Sequence, residues 1–500
     1  MLSKPLTTWL AAAASFLVLS LDHPVATALP EKLSSHVKSS TPIEHVVVLM
    51  LENRAFDHLL GSLALTNDEV DGCIPSTCSS PLDPTLPASP RANVTFDAVY
   101  SQLDPCHSIS CTTKQVYSYN TSTPMDGFIK NYAEQTSDQE NVSIQDQFSA
   151  EHLPATTTLA NEFAVFDRWY ASVPGPTMVN RAYAASATSH GMGTNNPIKI
   201  GLGLPQETMF SQLNKMGLKW SVYFSDVPSV LQQKDMRFGH LRNYHGIKRF
   251  ADDAKGGKLP EFTWVEPAYF DSPEIPATDQ HPDHDVSAGD SLIKYVYDSL
   301  RSSPKWNNTV LMITYDEHGG FPDHVLPPDC PNPDGMNSTD DPFDFKRLGV
   351  RIPTIVASPL IAKSTVVHRG EGEGEYEHSS IIKTVVHDIF SSKTDYSPEF
   401  LTKRDEWASS FASVFTLDEP RVDCPLVLPD VPSHREQFPE TLPPLDGMMP
   451  LSELQKELLA VVKMLETDKC KPSEFDVEAL ETEIDGLRFA EERIAECVTG

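Results

Sequence analysis

The sequence predicts an α/β fold, a mostly parallel sheet flanked by helices, with a small helical region at its C-terminal end. Three observations carry this. "VVVLML" (Val46–Met50 and Leu51) and "TVLMITY" (Thr309–Tyr315) are unbroken apolar runs, the pattern of strands buried on both faces. Such runs alternate with stretches of helical spacing, as in parallel sheets whose crossovers are helices. The chain has 500 residues, 40% hydrophobic and 22% charged, which is enough material for a large single core.

In chain order, the first strand is "VVVLML". Residues 64–125 are rich in Pro, Ser, Asp and Asn with few periodic runs, and read as a long loop region stapled by cysteines. "LPATTTLANEFAVFDRWY" holds a helix and then a strand near Phe163–Phe166. "WSVYF" (Trp220–Phe224) and "EFTWVEP" (Glu261–Pro267) read as further strands. "DVSAGDSLIKYVYDSLRSS" places Leu292, Val296 and Leu300 at i, i+4 and i+8, a helix with one apolar face. It leads into "TVLMITY", and "RIPTIVASPLI" is another strand. From Asp423 the composition turns Pro-rich and reads as a connector, more spacer than core. Two helical patterns follow, "LSELQKELLAVVKMLE" and the acidic "SEFDVEALETEIDGLRFAEERIAEC".

Both of the long apolar runs end in acid. The first runs into Glu52, Asn53 and Arg54, the second into Asp316, Glu317 and a Gly-Gly turn. Ligands of open α/β sheets bind outside the carboxyl ends of strands. Two such strands side by side bring three carboxylates and an amide together. Like charges that close need a counter-charge. Oxygen donors of these types suit a hard divalent cation or zinc, so Glu52, Asn53, Asp316 and Glu317 are the candidate metal ligands.

In "YASVPGPTMVNRAYAASA", Pro174-Gly175-Pro176 ends one segment and the following residues continue as a helix. Thr177 is placed at its N-cap, where the helix dipole and free backbone N–H groups favour a phosphate. A threonine hydroxyl needs a metal or a base to become a nucleophile. His107 lies between two cysteines, His281 and His284 in "DQHPDHDVSAGD", and His378 in "YEHSSI". Imidazoles at a phosphate can neutralise developing charge and protonate a leaving alkoxide. Arg54 can bind phosphate bidentately, and Asn180, three residues past Thr177, is a second candidate for contact with substrate.

The opening residues combine Lys4, the apolar "WLAAAASFLVLSL" and the small-residue stretch "ATA" at Ala26–Ala28, a signal peptide over residues 1–28. Its apolar run is too short for a comfortable membrane span, and no later segment is long and apolar enough. The mature chain is expected to be secreted, with a catalytic domain over 29–422 and the connector and helices over 423–500. Eight cysteines, with Cys73, Cys78, Cys106 and Cys111 close together, favour disulfides over a zinc site in such a chain; their connectivity stays open. Asn93, Asn120, Asn141, Asn307 and Asn337 head N-glycosylation sequons. A net charge of −31 argues against nucleic acid and strongly anionic membranes as partners.

"ENRAFDHLLGS", "FDRWYASVPGPTMVNR", "HPDHDV", "ITYDEHGGFPDHV" and "EHSSI", in this order, resemble the phosphoesterase family of phospholipases C and acid phosphatases, most closely its plant non-specific phospholipases C. The resemblance spans about residues 42–465. It implies an alkaline-phosphatase-like core, metal positions at Glu52, Asn53, Asp316 and Glu317, a nucleophile at Thr177, and phosphate-side histidines at His107, His281 and His378. The implied reaction cleaves the glycerol side of the phosphodiester in phospholipids such as phosphatidylcholine, at a membrane or micelle surface. Diacylglycerol and a phosphorylated head group are the products. The family also leaves open an acid phosphatase acting on monoesters, or a catalytically silent lipid-binding protein. Relatives commonly carry Asp where Gln280 stands and an aromatic where Pro322 stands.

Overall fold

Val46 to Leu51 are fully buried, and the strand they form is the centre of an eight-stranded sheet. The computed structural model describes residues 42–499, apart from 102, 137–141, 238–239, 371 and 467–469. The expected signal peptide and the sequon at Asn141 lie outside the described residues. In chain order the strands are β1 (His45–Leu51), β2 (Ala164–Phe166), β3 (Trp220–Phe224), β4 (Tyr244–Gly246), β5 (Phe262–Val265), β6 (Thr309–Tyr315), β7 (Thr354–Ala357) and β8 (Thr365–Val367). Their spatial order is β8-β2-β7-β6-β1-β5-β3-β4. Every pairing is parallel except those of β7, which runs against both β2 and β6. Helices cover both faces, which is why the middle of β1 and β6 is apolar on both, Val46–Leu51 and Val310–Ile313, and why the buried Thr314 hydroxyl pairs with that of Thr354.

The β1–β6 register pairs Leu51 with Tyr315, so the next residues, Glu52 and Asp316, leave the sheet side by side. β5 flanks β1 on the other side, and Glu266 follows directly on its last residue. Three neighbouring strands therefore all end in acid at one edge. Asn53 adopts a left-handed backbone (φ 53°) and turns the chain sharply there. The loop after β6 closes over it through Gly319, where a Cβ would lie 2.2 Å from the Asn53 carbonyl oxygen. Only glycine fits.

The helix Val286–Arg301 is capped by Asp285, whose side chain accepts from Ser287 N, and it buries Leu292, Val296 and Leu300 as their spacing predicts. The region expected as a long loop contains a short helix, Ile109–Val116, capped by Ser108, and a hairpin of Ser79–Pro81 with Arg91–Asn93. Disulfides join Cys73 to Cys78, Cys106 to Cys111 and Cys470 to Cys497, while Cys330 and Cys424 are unpaired and buried. Asn93, Asn120, Asn307 and Asn337 are all exposed.

Residues 40–500 form one compact unit. The Pro-rich stretch is docked rather than free: Lys294 Nζ donates to the Leu428 carbonyl at 2.6 Å, Tyr297 Oη to that of Pro425 at 2.8 Å, and His434 N to Ser287 Oγ at 2.9 Å. Helix Glu453–Lys463 begins with a capping box of Ser452 and Gln455. The acidic C-terminal pattern is α-helical from Glu483 to Ile494 and continues as a π-helical stretch over Ala495–Thr499, so it starts later than its sequence predicts. Among the described residues no helix is long and apolar enough to cross a membrane.

A partly buried ionic cluster braces the segments that follow β1 and β6. Arg351 reaches Asp57 at 3.1 Å and Asp323 at 2.9 Å, and His324 binds Asp57 at 2.7 Å and Asp71 at 3.0 Å. Burial disfavours the charged imidazole, but its bonds to Asp57 and Asp71 outweigh that and lift His324 to about 10. A histidine raised on folding contributes stability that is complete below its unfolded value, about 6.5, and lost as pH climbs through the folded value. Urea midpoints are therefore expected to fall between about pH 6.5 and 10 in the native protein. In His324→Gln that component of the fall should be missing; an unchanged profile would show that the imidazole does not act this way.

Candidate active site

The helix Thr177–Ser186 points its first residue at the acidic edge of the sheet. Pro176 is the N-cap and Thr177 the first helical residue, a correction of one position to the sequence expectation. The reason is that Pro176 keeps an extended backbone (ψ 174°) while Thr177 has already entered the helix. The shift matters chemically, because the hydroxyl is not consumed in capping. Thr177 Oγ1 lies 3.4 Å from Glu52 Oε2 and 3.3 Å from Asn53 Oδ1, donating toward both, and it is buried.

Asn180 fixes the loop ahead of Thr177. Its amide donates to the carbonyls of Val173, Gly175 and Pro176, and its Oδ1 accepts from Val173 N. All its polar atoms are engaged with backbone, so it shapes the Pro-Gly-Pro turn instead of reaching substrate, as the sequence had suggested. Met178 N donates to Asn195 Oδ1 at 2.9 Å, which satisfies another N–H of the same helix end.

Arg181, one turn after Thr177, fills the middle of the cluster. It bonds Glu52, and lies 3.2 Å from Glu266 and 3.3 Å from Asp316. Burial works against the guanidinium charge, but Glu52, Tyr269, Asp316 and Glu266 outweigh it and hold Arg181 charged. One cation does not balance three buried carboxylates. Burial, helped by Asp316 and opposed by Arg181, pushes the Glu52 carboxyl well above the usual range.

The sequence expectation of a metal rested on the need for a counter-charge, and Arg181 supplies the first of it. The donor set still fits a hard cation. Thr177 Oγ1, Glu52 Oε2 and Asn53 Oδ1 converge, and Glu317 Oε1 is buried without a hydrogen-bond partner. Glu317 Oε2 accepts from Gly319 N at 2.8 Å. Asp316 is the most engaged of the four: Oδ1 accepts from Asn53 N and Glu317 N, and Oδ2 faces Arg181.

The histidines divide into two kinds. His107 is held by the Cys106–Cys111 disulfide and by the Pro105 carbonyl at 2.9 Å. Burial opposes its charge, but Glu317 and Asp104 lift it to about 9. His281 binds Asp283 at 2.6 Å, and burial is likewise outweighed, by Asp104 and Asp283, so its value is raised. Asp104 stands between them, 3.5 Å from His107 Nδ1 and 3.6 Å from His281 Nε2. Both imidazoles are thus biased toward the proton-bearing, donating form. His284 pairs with Asp279 at 2.7 Å. His378 differs: burial pushes it down to about 4, and its Nε2 donates to the Asp316 carbonyl at 2.6 Å. Its Nδ1 is buried and unpartnered, a lone pair and not a proton.

Arg54 donates through Nε to the Gln280 carbonyl at 2.8 Å and lies over the Phe321 ring. Both terminal nitrogens are buried without partners. Gln280 itself turns its side chain to Val286 O and Tyr315 Oη, packed on Gly289.

Sequence reasoning missed Arg181, Glu266 and Asp104. Glu266 had a signal, since "EFTWVEP" is a third buried strand ending in acid. Arg181 had a weaker one, four residues after Thr177 on the same helix face. Asp104 sits in aperiodic sequence with none.

The chain belongs to the phosphoesterase family, whose sequence signature matches residues 43–391, and it is a phosphoric diester hydrolase. It is 42% identical to the non-specific phospholipase C1 of Arabidopsis thaliana over 91% of this chain and 86% of that one. To the non-specific phospholipase C6 of the same plant it is 41% identical, over 86% and 82%. Phospholipase C B of Mycobacterium tuberculosis is 28% identical over 81% of this chain and 88% of its own. Among solved structures, the lipoteichoic acid synthase LtaP of Listeria monocytogenes aligns with 11% identity over 75% and 77% of the chains, at a TM-score of 0.35.

Proposed function

We propose that this protein is a secreted phospholipase C that cleaves the glycerol-side phosphodiester bond of phospholipids such as phosphatidylcholine. The observation that carries the chemistry is the Thr177 hydroxyl, buried at a helix N-terminus and 3.4 Å from Glu52. The choice of lipid rests on the relatives named phospholipase C, which match nearly the whole chain. Secretion is supported by the N-terminal leader and by three disulfides.

In this reading Thr177 Oγ1 attacks phosphorus and gives up its proton to solvent. The bond from phosphorus to the glycerol oxygen breaks, and His281 or His107 protonates that oxygen to release diacylglycerol. The head-group phosphate remains esterified to Thr177 until water displaces it. Arg54, with two free buried N–H groups, and the charged imidazoles neutralise the phosphoryl oxygens. His378 fixes the Asp316 backbone, which keeps the tip of β6 in register with Glu52. A divalent ion held by Glu52, Asn53, Asp316 and Glu317 would supply Lewis-acid stabilisation and lower the hydroxyl pKa.

Mass analysis of products from defined phosphatidylcholine is expected to show diacylglycerol and phosphocholine in equal amounts, with turnover lost after thorough chelation. Phosphatidic acid with free choline would refute the bond assignment. Turnover confined to phosphate monoesters would make the protein an acid phosphatase instead, and no turnover of either would leave a lipid-binding role.

A further inference from the structure

A groove of about 410 Å³ lies between helix Pro197–Leu202 and helix Glu453–Lys463. The two helices meet tightly at Gly201, where a Cβ would lie 2.9 Å from Met464 Cγ, and the groove opens beside that contact. Pro197, Ile198, Leu202, Ala460, Met464 and Val477 line it. Ile198 and Leu202 are 71% and 60% exposed, large apolar side chains in its lining. Lys456 and Glu478 are exposed, while Glu457 is buried in the lining, one carboxylate oxygen without a hydrogen-bond partner and its carboxyl pushed well above the usual range by burial.

Asn195 also lines the groove, and it accepts from the backbone N–H of Met178, the residue after the nucleophile. Glu453, also in the lining, is among the charges that act on His107, after burial, Glu317 and Asp104. The groove thus combines exposed apolar residues with one side chain bonded to the nucleophile's helix. A substrate with its glycerol oxygen at Thr177 must extend its apolar part away from that point. A mostly apolar groove whose lining includes the partner of Met178 N is where it would be desolvated.

We propose that this groove receives one acyl chain of the lipid substrate, an inference that rests on the phospholipase reading above. The volume suits a single chain, in the size range of small-ligand sites. Each methylene that enters raises the apparent affinity several-fold, roughly fourfold at full burial.

The test uses dihexanoyl, diheptanoyl and dioctanoyl phosphatidylcholine below their micelle-forming concentrations, so that no interface is present. p-Nitrophenyl phosphorylcholine, which has no acyl chain, is the reference. In the native protein kcat/KM is expected to rise about threefold to fourfold per methylene. In Ile198→Asp/Leu202→Asp, at exposed positions that spare the fold, and in Ala460→Phe, which fills the groove, the rise should drop below twofold per methylene. Hydrolysis of the chromogenic diester should stay within twofold throughout. An unchanged slope in the variants, or equal losses on all substrates, would overturn the proposal. So would variants that lose affinity for phosphatidylcholine vesicles while keeping the slope, since these apolar side chains would then be a membrane anchor. If the native protein cleaves none of these lipids, the phospholipase reading fails separately, and titration with a fluorescent monoacylglycerol decides the groove. One saturable site lost in Ala460→Phe would uphold it; no binding would refute it.

Discussion

Thr177→Ala is expected to lower kcat on phosphatidylcholine by roughly 10⁴-fold or more, the scale seen when a covalent nucleophile is removed, with little change in stability. The stability half of this follows from the geometry. Its bonds to Glu52 and Asn53 are long, at 3.4 and 3.3 Å, and Pro176 rather than Thr177 caps the helix. Loss of one such hydroxyl costs about 1 kcal/mol. Thr177→Ser should retain measurable turnover, because it keeps the oxygen. Near-native turnover by Thr177→Ala in a matched assay would show that another group attacks phosphorus.

Arg181→Leu is expected to have the larger effect on folding. The native guanidinium links Glu52, Glu266 and Asp316 in a site closed to solvent. Removing one partner of a buried ionic network costs about 3–5 kcal/mol, because the remaining charges are left unpaired. Three carboxylates are orphaned here, so the upper end applies. The sign with pH follows. Orphaned buried carboxyls have folded values raised above the unfolded ones, so their penalty grows as pH rises and shrinks as they protonate. The urea midpoint of Arg181→Leu should therefore approach that of the native protein as pH falls toward 4. Arg181→Lys should lie between, since an ammonium keeps the charge but cannot span three acceptors. A midpoint for Arg181→Leu within experimental error of native at pH 7 would mean that the cluster is not held by this residue.

Why β1, β5 and β6 were legible in the sequence is physical. Strands covered on both faces carry no charge inside the sheet, and the first charged residue marks where they leave it. That one rule located Glu52 and Asp316, and the parallel register did the rest. β4 and β8 were not legible: each has three residues, and all of β8 is half-buried, so neither carries a continuous apolar run. Helix Ile109–Val116 escaped because its local sequence is mostly polar, and the Ser108 cap and the Cys106–Cys111 disulfide set it in place. The Pro-rich stretch docks through backbone carbonyls, which composition does not reveal.

The site divides in the same way. Thr177, Glu52, Asn53 and Asp316 converge as their positions at element ends predict. Arg181 is far from its three partners in sequence, and its role appears only once the helix is laid across the sheet edge. Asn180 sits in a recognisable motif, yet the loop takes up all its hydrogen-bonding capacity. Both cases show that motif membership locates a residue without saying what it touches.

The most direct test is to look for the intermediate. Native protein mixed with phosphatidylcholine, quenched in acid within the first turnover and digested, should yield a peptide carrying phosphocholine on Thr177, absent from Thr177→Ala. Turnover in the native protein with no adduct at any time, or an adduct on a different side chain, would contradict attack by this hydroxyl.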